Sequence, residues 1–268
     1  MTLVQASIST DKSTVVVIAD RLITAYLGKD DTPYEFESNQ PKIQMKGDVV
    51  IGFAGSSYLG SLITSVISDG KNYNEICQGI LNEIKALATR DKESLTQRYT
   101  GLSLDDFYKV QVDLPEKVRN FVFGALAEVD ANVSFLVAGF DSEGQPHISI
   151  IEDDEIYHEE SFGYGTVGSG HQFANMFFDV YGSDRNSGEI DELYFAYRAK
   201  RWGEFPAGVG HRTDIIVVRK NGNNLVIRDE SELMQKIKET YETEVKKIDT
   251  ERKLILEKLI KESGGKLS

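Results

Sequence analysis

Apolar residues recur along this chain with two periods, and the changes of period mark out its elements. Near the start, Leu3, Val4, Ala6 and Ile8 lead into a polar turn at residues 9–13, and a run of Val15, Val16, Val17, Ile18 and Ala19 returns from it to Asp20-Arg21. This pattern predicts a hairpin of two paired strands, residues 2–8 and 14–19. The second strand is apolar at nearly every position, as a strand covered on both faces must be. Residues 22–25 continue apolar, and the polar stretch 28–33 reads as a loop. Residues 42–45 alternate in the strand manner, and residues 49–54 form a buried strand stopped by Gly55-Ser56-Ser57.

From Tyr58 the spacing turns helical: Leu59, Leu62, Ile63, Val66 and Ile67, then, past a break at 70–74, Ile76, Ile80, Leu81, Ile84, Leu87 and Ala88. Residues 89–114 are polar with scattered aromatics (Tyr99, Phe107, Tyr108) and are expected to form a loop with one short helix. Pro115 suits the first turn of a helix over 116–126. Strands return at 132–140, 147–152 and 155–159, and at 164–170, which contains the corner Gly168-Ser169-Gly170. Helices follow at 173–181 and 190–200. A glycine-containing loop, 203–210, leads to a last hairpin, strands 214–219 and 224–227 around Asn221-Gly222.

Strands, two helices, strands, two helices and strands, in that order, predict an α+β fold: an antiparallel sandwich with helices on its outer faces. Past Glu230 the composition shifts. Met234, Tyr241, Val245, Ile248, Ile255 and Leu259 fall at coiled-coil-like spacing, with Arg252 in one seam position and Glu and Lys on the other faces. A helix of about 30 residues is expected there by periodicity. It either packs on its own domain or pairs with a neighbouring subunit. The chain therefore divides into a main domain, residues 1–229, and a helical extension, residues 230–268.

Composition narrows the function. With 43 acidic and 30 basic residues among 268 the net charge is -13, which argues against nucleic acid or an anionic membrane surface as the main partner. No stretch approaches the roughly 20 apolar residues of a membrane span. No basic segment leading into a long apolar core opens the chain, so no secretory signal is read and a cytoplasmic protein is expected. Cys77 is the only cysteine, and its neighbours Ile76, Ile80 and Leu81 predict a buried thiol, not a nucleophile. His147, His158, His171 and His211 show no ligand spacing. The loop 203–210 lacks the Lys-Ser/Thr of a phosphate loop, so neither metal nor cofactor is expected.

One residue pattern does carry chemistry. Thr2 follows Met1, and aminopeptidase removal of Met1 would leave a threonine with its amine and hydroxyl on one residue, so that the amine can activate the hydroxyl. Several short motifs follow in order: Ala19-Asp20-Arg21, Pro41-Lys42-Ile43, Gly52-Phe53-Ala54-Gly55, Leu136-Val137-Ala138-Gly139-Phe140-Asp141, Val167-Gly168-Ser169-Gly170 and Thr213-Asp214-Ile215-Ile216-Val217. Taken in order, this set resembles proteasome β-type subunits and the related HslV peptidase, within the N-terminal nucleophile (Ntn) hydrolases. The likeness runs from Thr2 to about Ile227.

The resemblance implies a four-layer αββα sandwich, two antiparallel sheets between helix layers, with the long C-terminal helix added. It implies roles residue by residue: Thr2 the nucleophile, Lys42 the ammonium beside it, Asp20 the carboxylate that orients Lys42, Gly55 the backbone N–H facing the oxyanion, and Ser169 a contact of the N-terminal amine. The implied activity is a threonine-type hydrolase that cleaves peptide or amide bonds through an acyl-enzyme, assembled as a homo-oligomer, with rings as one form. The alternatives are an inactive scaffold subunit of the same fold, or an Ntn amidase or transpeptidase acting on a small or specific substrate. Several stretches depart from the pattern: the turn between Thr2 and Asp20 is longer by two residues, an even number that keeps the strand register, and residues 89–114 and the helix after Glu230 have no counterpart in it. The loop 27–38 is enlarged, and the family's Asp and Ser before the last conserved strand are replaced by Trp202-Gly203-Glu204-Phe205-Pro206, where Glu204 is offset in spacing and the second serine is absent.

Overall fold

The computed structural model describes residues 2–27, 32–182 and 188–262, which fall into two compact units, residues 1–226 and 227–268. Among the described residues the fold is α+β, with three sheets and seven α-helices.

The opening hairpin forms as its pattern dictates. β1 (Val4–Ile8) pairs antiparallel with β2 (Thr14–Asp20), Val4 opposite Ala19 and Ile8 opposite Val15. The turn between them is closed by side chains: Asp11 accepts from Ser9, Ser13 and the Ser13 backbone N–H, an Asx turn that holds Lys12 at a positive φ of 57°. β10 (Tyr164–Val167) flanks β1, and β11 (Thr213–Arg219) and the short β12 (Leu225–Ile227) extend the sheet on the β2 side, in the order β10-β1-β2-β11-β12.

A second five-stranded sheet has the order β5-β6-β7-β8-β9, from β5 (Ile43–Lys46), β6 (Val49–Gly55), β7 (Val133–Phe140), β8 (Pro146–Glu152) and β9 (Glu155–His158). Every neighbouring pair in it is antiparallel. Period-2 alternation sends its residues to two faces. On one, Ile43, Val50, Ala54, Leu136, Ala138 and Ile148 pack with Val4, Ala6, Val15, Val17, Ala19 and Ile216 of the first sheet in one buried cluster. On the other, Ile51, Phe53, Phe135, Val137 and Ile151 pack with Ile63 of α1 (Ser57–Val66) and Ile76, Ile80 and Ile84 of α2 (Tyr73–Thr100). Each fully buried side chain of this size contributes about 1.5–3 kcal/mol through removal from water. Cys77 lies in that cluster, buried, and burial pushes its thiol up to about 12, as befits a packing residue. Near the first sheet, Gln5 of β1 donates to the Ala196 carbonyl of α6 (Glu189–Gly203) at 2.6 Å, and α6 packs on α5 (His171–Tyr181) through Phe177, Phe178, Phe195 and Ala199.

Two stretches differ from the pattern-based reading. The enlarged stretch 27–38 is not all loop: β4 (Thr32–Glu37) pairs with β3 (Leu22–Leu27) in a two-stranded sheet, Leu22 opposite Glu37. Residues 28–31 themselves lie outside the described residues. Residues 89–114 are not mainly loop. α2 runs on to Thr100, opened by an Asn72–Glu75 capping box and ended by Gly101 at a φ of 74°, and α3 (Leu104–Val110) and a single 3-10 turn (Gln111–Asp113) follow before α4 (Glu116–Ala127). The polar run is a solvated helix whose few apolar contacts, Leu95, Leu102 and Leu104, close on Phe107, Val122 and Leu126.

The unit at residues 227–268 consists mostly of α7 (Glu232–Glu262), 31 residues long. Its Val245, Ile248, Ile255 and Leu259 are exposed. No helix of the described residues is long and apolar enough to cross a membrane.

Candidate functional site

The mouth of the β1–β2 hairpin gathers four of the five residues singled out from sequence through direct contacts. Lys42 stands just before β5, and its ammonium donates to Thr2 Oγ1 at 2.5 Å, to Asp20 Oδ1 at 3.0 Å and to the Leu22 carbonyl. Asp20, the last residue of β2, is fully buried, and Lys42 and Thr2 are 4% and 5% exposed. The β1–β2 register makes the encounter possible: Asp20 N–H donates to the Leu3 carbonyl, so the carboxylate returns beside the residue that starts the hairpin.

Asp20 is held from four directions. Oδ1 accepts from Lys42 and from the Leu3 N–H at 2.9 Å, while Oδ2 accepts from the Leu22 N–H at 3.0 Å and the Gly210 N–H at 2.8 Å. Both carboxylate oxygens thus have two donors each, and one of them lies 3.0 Å from the Lys42 ammonium. Burial pushes the Lys42 ammonium below the usual lysine range, and Asp20 opposes that push. Next along the chain, Arg21 makes a two-pronged pair with buried Asp214, at 2.8 and 2.6 Å, so the strand ends carry matched charges throughout.

Ser169 lies across from Lys42. The Thr2 N–H donates to Ser169 Oγ at 3.2 Å, and the Ser169 hydroxyl reaches the Thr2 carbonyl at 3.3 Å. The corner is glycine-built because nothing larger fits: Gly168 has a φ of 96°, and a Cβ there would lie 2.2 Å from the Thr2 carbonyl oxygen. Gly55 ends β6 at a φ of 95°, where a Cβ would lie 2.3 Å from the Asn132 carbonyl oxygen. It makes no direct contact with Thr2 that defines its role, but both residues line the same two openings. One, of about 370 Å³, also borders Ile23, Lys42, Phe53 and Tyr58; the other, of about 240 Å³, borders Asp130, Asn132 and Ser169.

Other candidates are placed elsewhere. Glu204, weighed as a replacement for the missing amine support, turns to Lys200, Arg201 (2.6 Å) and His211 (2.8 Å) instead. It follows the end of α6, one helical turn from Lys200, and that spacing decides its partner. His171 binds the Gly168 carbonyl through Nδ1 at 2.7 Å, a local contact. Asn132, Leu22 and Lys200 were not read from sequence. Of these Lys200 left a signal: a lysine among the inward positions Ala196, Ala199 and Gly203 of an amphipathic helix, with Glu204 four residues on.

Comparison with known proteins bears on the fold. No family model matches the sequence, and no curated protein does. Among solved structures, an Anbu mutant from Hyphomicrobium sp. strain MC1 is similar with a TM-score of 0.57 and 13% identity, over 94% of this chain and 100% of that one. Anbu (ancestral beta-subunit) from Yersinia bercovieri is similar with a TM-score of 0.55 and 11% identity, over 92% of this chain and 96% of that one. At these identities the likeness is one of fold. It corrects the sequence resemblance: membership of the proteasome β-type or HslV family does not hold, since no family model supports it and the structural neighbours are distant Anbu proteins.

Proposed function

We propose that this chain is a threonine-type N-terminal nucleophile hydrolase acting on peptide or other amide bonds. The observation that carries the reading is the single ammonium of Lys42 shared between Thr2 Oγ1 and the buried Asp20 carboxylate. With Met1 removed, the Thr2 amine takes the hydroxyl proton as Oγ1 attacks the carbonyl, and the C–O bond of an acyl-enzyme forms. Lys42 stabilises negative charge on the oxygen and depresses the proton affinity of the amine. The Gly55 N–H is assigned to the oxyanion, a donor worth roughly 3–4 kcal/mol in such sites. Ser169, already on the Thr2 nitrogen, orients the amine. The amine proton passes to the departing nitrogen, and a water activated by the same amine releases the acyl group.

The packing supports a four-layer reading of the main domain, residues 1–229, in which the two five-stranded sheets face each other between α1–α2 and α5–α6. The extension, residues 230–268, carries an exposed apolar seam, Val245, Ile248, Ile255 and Leu259, which favours a homo-oligomer. A cytoplasmic location is kept as part of the same proposal.

Intact-mass measurement after incubation with an epoxyketone or β-lactone tests the reading. Loss of Met1 together with one adduct, absent in Thr2→Ala, is the expected result. A processed Thr2 that stays unmodified and hydrolyses no amide would exclude it in favour of an inactive scaffold.

A further inference from the structure

Asp20 is gripped by a loop that is itself anchored from beneath. The Gly210 N–H donates to Asp20 Oδ2 at 2.8 Å, and the carbonyl of the same residue accepts from the Lys200 ammonium at 2.8 Å. Lys200 is fully buried and also donates to the His211 carbonyl at 3.3 Å and to Glu204. Glu204, 5% exposed at its side chain, neutralises it. From the other side, Glu37 of β4 accepts the His211 N–H at 3.0 Å and the Arg212 N–H at 3.4 Å. The Gly210 backbone is thus clamped between a buried cation and a carboxylate, with its N–H aimed at the group that orients Lys42.

A fully buried lysine needs a reason. Desolvation pushes its ammonium down from the ordinary lysine value, and Glu204 holds it charged against that. Replacing such a buried pair by apolar residues is often neutral or stabilising, so its contribution to stability does not account for it, and its contacts to the Gly210 and His211 carbonyls do. We propose that Lys200 and Glu204 are positioning residues for the reaction at Thr2, fixing the Gly210 peptide so that its N–H keeps Asp20, and through it Lys42, in register. The proposal rests on the reading of Thr2 as nucleophile and extends it to a pair on α6 that touches neither substrate nor Thr2.

The test is the double variant Lys200→Met/Glu204→Gln, which removes both charges of the buried pair together; Arg201 and His211 lose the Glu204 charge as well, but their side chains are 30% and 79% exposed and reach solvent. Two readouts are taken on the full chain. In amide hydrogen exchange, Gly210 N–H should exchange at least about tenfold faster while Ile216 N–H on β11 is unchanged. In hydrolysis of a fluorogenic peptide, kcat should fall about tenfold with KM within about twofold, the scale of one hydrogen bond to a charged group. Unchanged Gly210 protection, or a faster-exchanging Gly210 with unchanged kcat, overturns the proposal. Should the double variant not fold, Glu37→Ala loosens the same peptide from its solvent side and should move both readouts in the same direction; no movement overturns it equally. Wild-type protein that forms no Thr2 adduct refutes the hydrolase reading instead, and the exchange arm still decides whether the pair holds Gly210.

Discussion

Strand β1 runs between two openings, and the contrast between them is what favours the Thr2 end as the proposed site. At its far end lies the larger cleft, about 690 Å³, bordered by Ser9, Lys12, His147, His158 and Glu160. Its charged groups are partly solvated: His147 and Glu160 are 30% and 27% exposed at their side chains. At its near end the openings beside Thr2 are smaller, yet Lys42, Asp20, Arg21, Asp214, Lys200 and Glu204 are all buried, three cations against three carboxylates, each paired. Volume does not make a reaction centre. Buried opposite charges fixed by backbone donors are the better guide, because under the proposed mechanism their alignment would be completed on folding and not during the reaction.

The sharpest way to break this contrast is at the nucleophile. Thr2→Ala should lower amide hydrolysis by at least about a thousandfold. Thr2 is small and its neighbours remain paired, so Tm should change little. A substitution at the larger cleft, His147→Gln, should leave hydrolysis intact. Equal losses in the two variants, read as kcat/KM on one fluorogenic amide, would put the chemistry at the wrong end of the strand.

Next in size is the ion pair. Lys42→Met should lower kcat about a hundredfold, since the cation beside Oγ1 is gone. Asp20→Asn should do the same and also destabilise the fold by about 3–5 kcal/mol, since the ammonium loses its counter-charge and an amide group is turned toward backbone donors. Chemical denaturation separates the two. If Lys42→Met proves the more destabilising, Asp20 is not the hub that its four hydrogen bonds make it.

Most of this arrangement was legible in the sequence, for a physical reason. Asp20 ends an apolar run, Gly55 ends another and Gly168-Ser169-Gly170 marks a corner, so each site residue sits where a strong period stops, and strand ends converge in a sandwich. What stayed hidden depended on tertiary contact alone. A peptide N–H such as that of Gly210 has no side-chain signature. Glu204 was within view as a charged residue near the last strand, but its partner Lys200 is chosen by helix geometry, not by distance along the chain to Thr2. Residues 89–100 were misread because a helix that buries little shows no apolar stripe; its N-cap Asn72 lies well upstream of the polar run, and its C-cap Gly101, inside that run, reads equally well as a loop glycine. The family inference overreached because it rested on short motifs of three to six residues, none of them specific by itself.

A smaller effect is expected at Gly55. Its φ of 95° and the 2.3 Å approach of a Cβ to the Asn132 carbonyl oxygen make Gly55→Ala strained whatever the surroundings do. A loss of roughly 1–3 kcal/mol and a marked fall in kcat should appear together. Gly47, at a φ of 62° with nothing within 4 Å of a Cβ, serves as the control, since Gly47→Ala meets only the left-handed backbone penalty of roughly 1–2 kcal/mol. If both alanines leave kcat untouched, the β6 end has no part in the reaction.

The smallest expected effect belongs to the larger cleft and concerns stability alone. Burial lowers the proton affinity of His147, but Asp141 at 3.0 Å and Glu160 at 2.8 Å together outweigh it, and the imidazole is held above its ordinary value. A histidine that binds its proton more tightly when folded adds stability that is fully present below its unfolded pKa, about 6.5, and is lost as pH rises through the folded value. With these side chains partly solvated, the contribution stays under about 1 kcal/mol, a Tm change of roughly 2–4 °C. Thermal melts between pH 5.5 and 8.5 should therefore show wild-type protein losing a little stability across that window relative to His147→Gln. If the two curves run parallel, the carboxylates at this end do not act on the imidazole, and the far cleft holds no charge arrangement comparable to the one around Thr2.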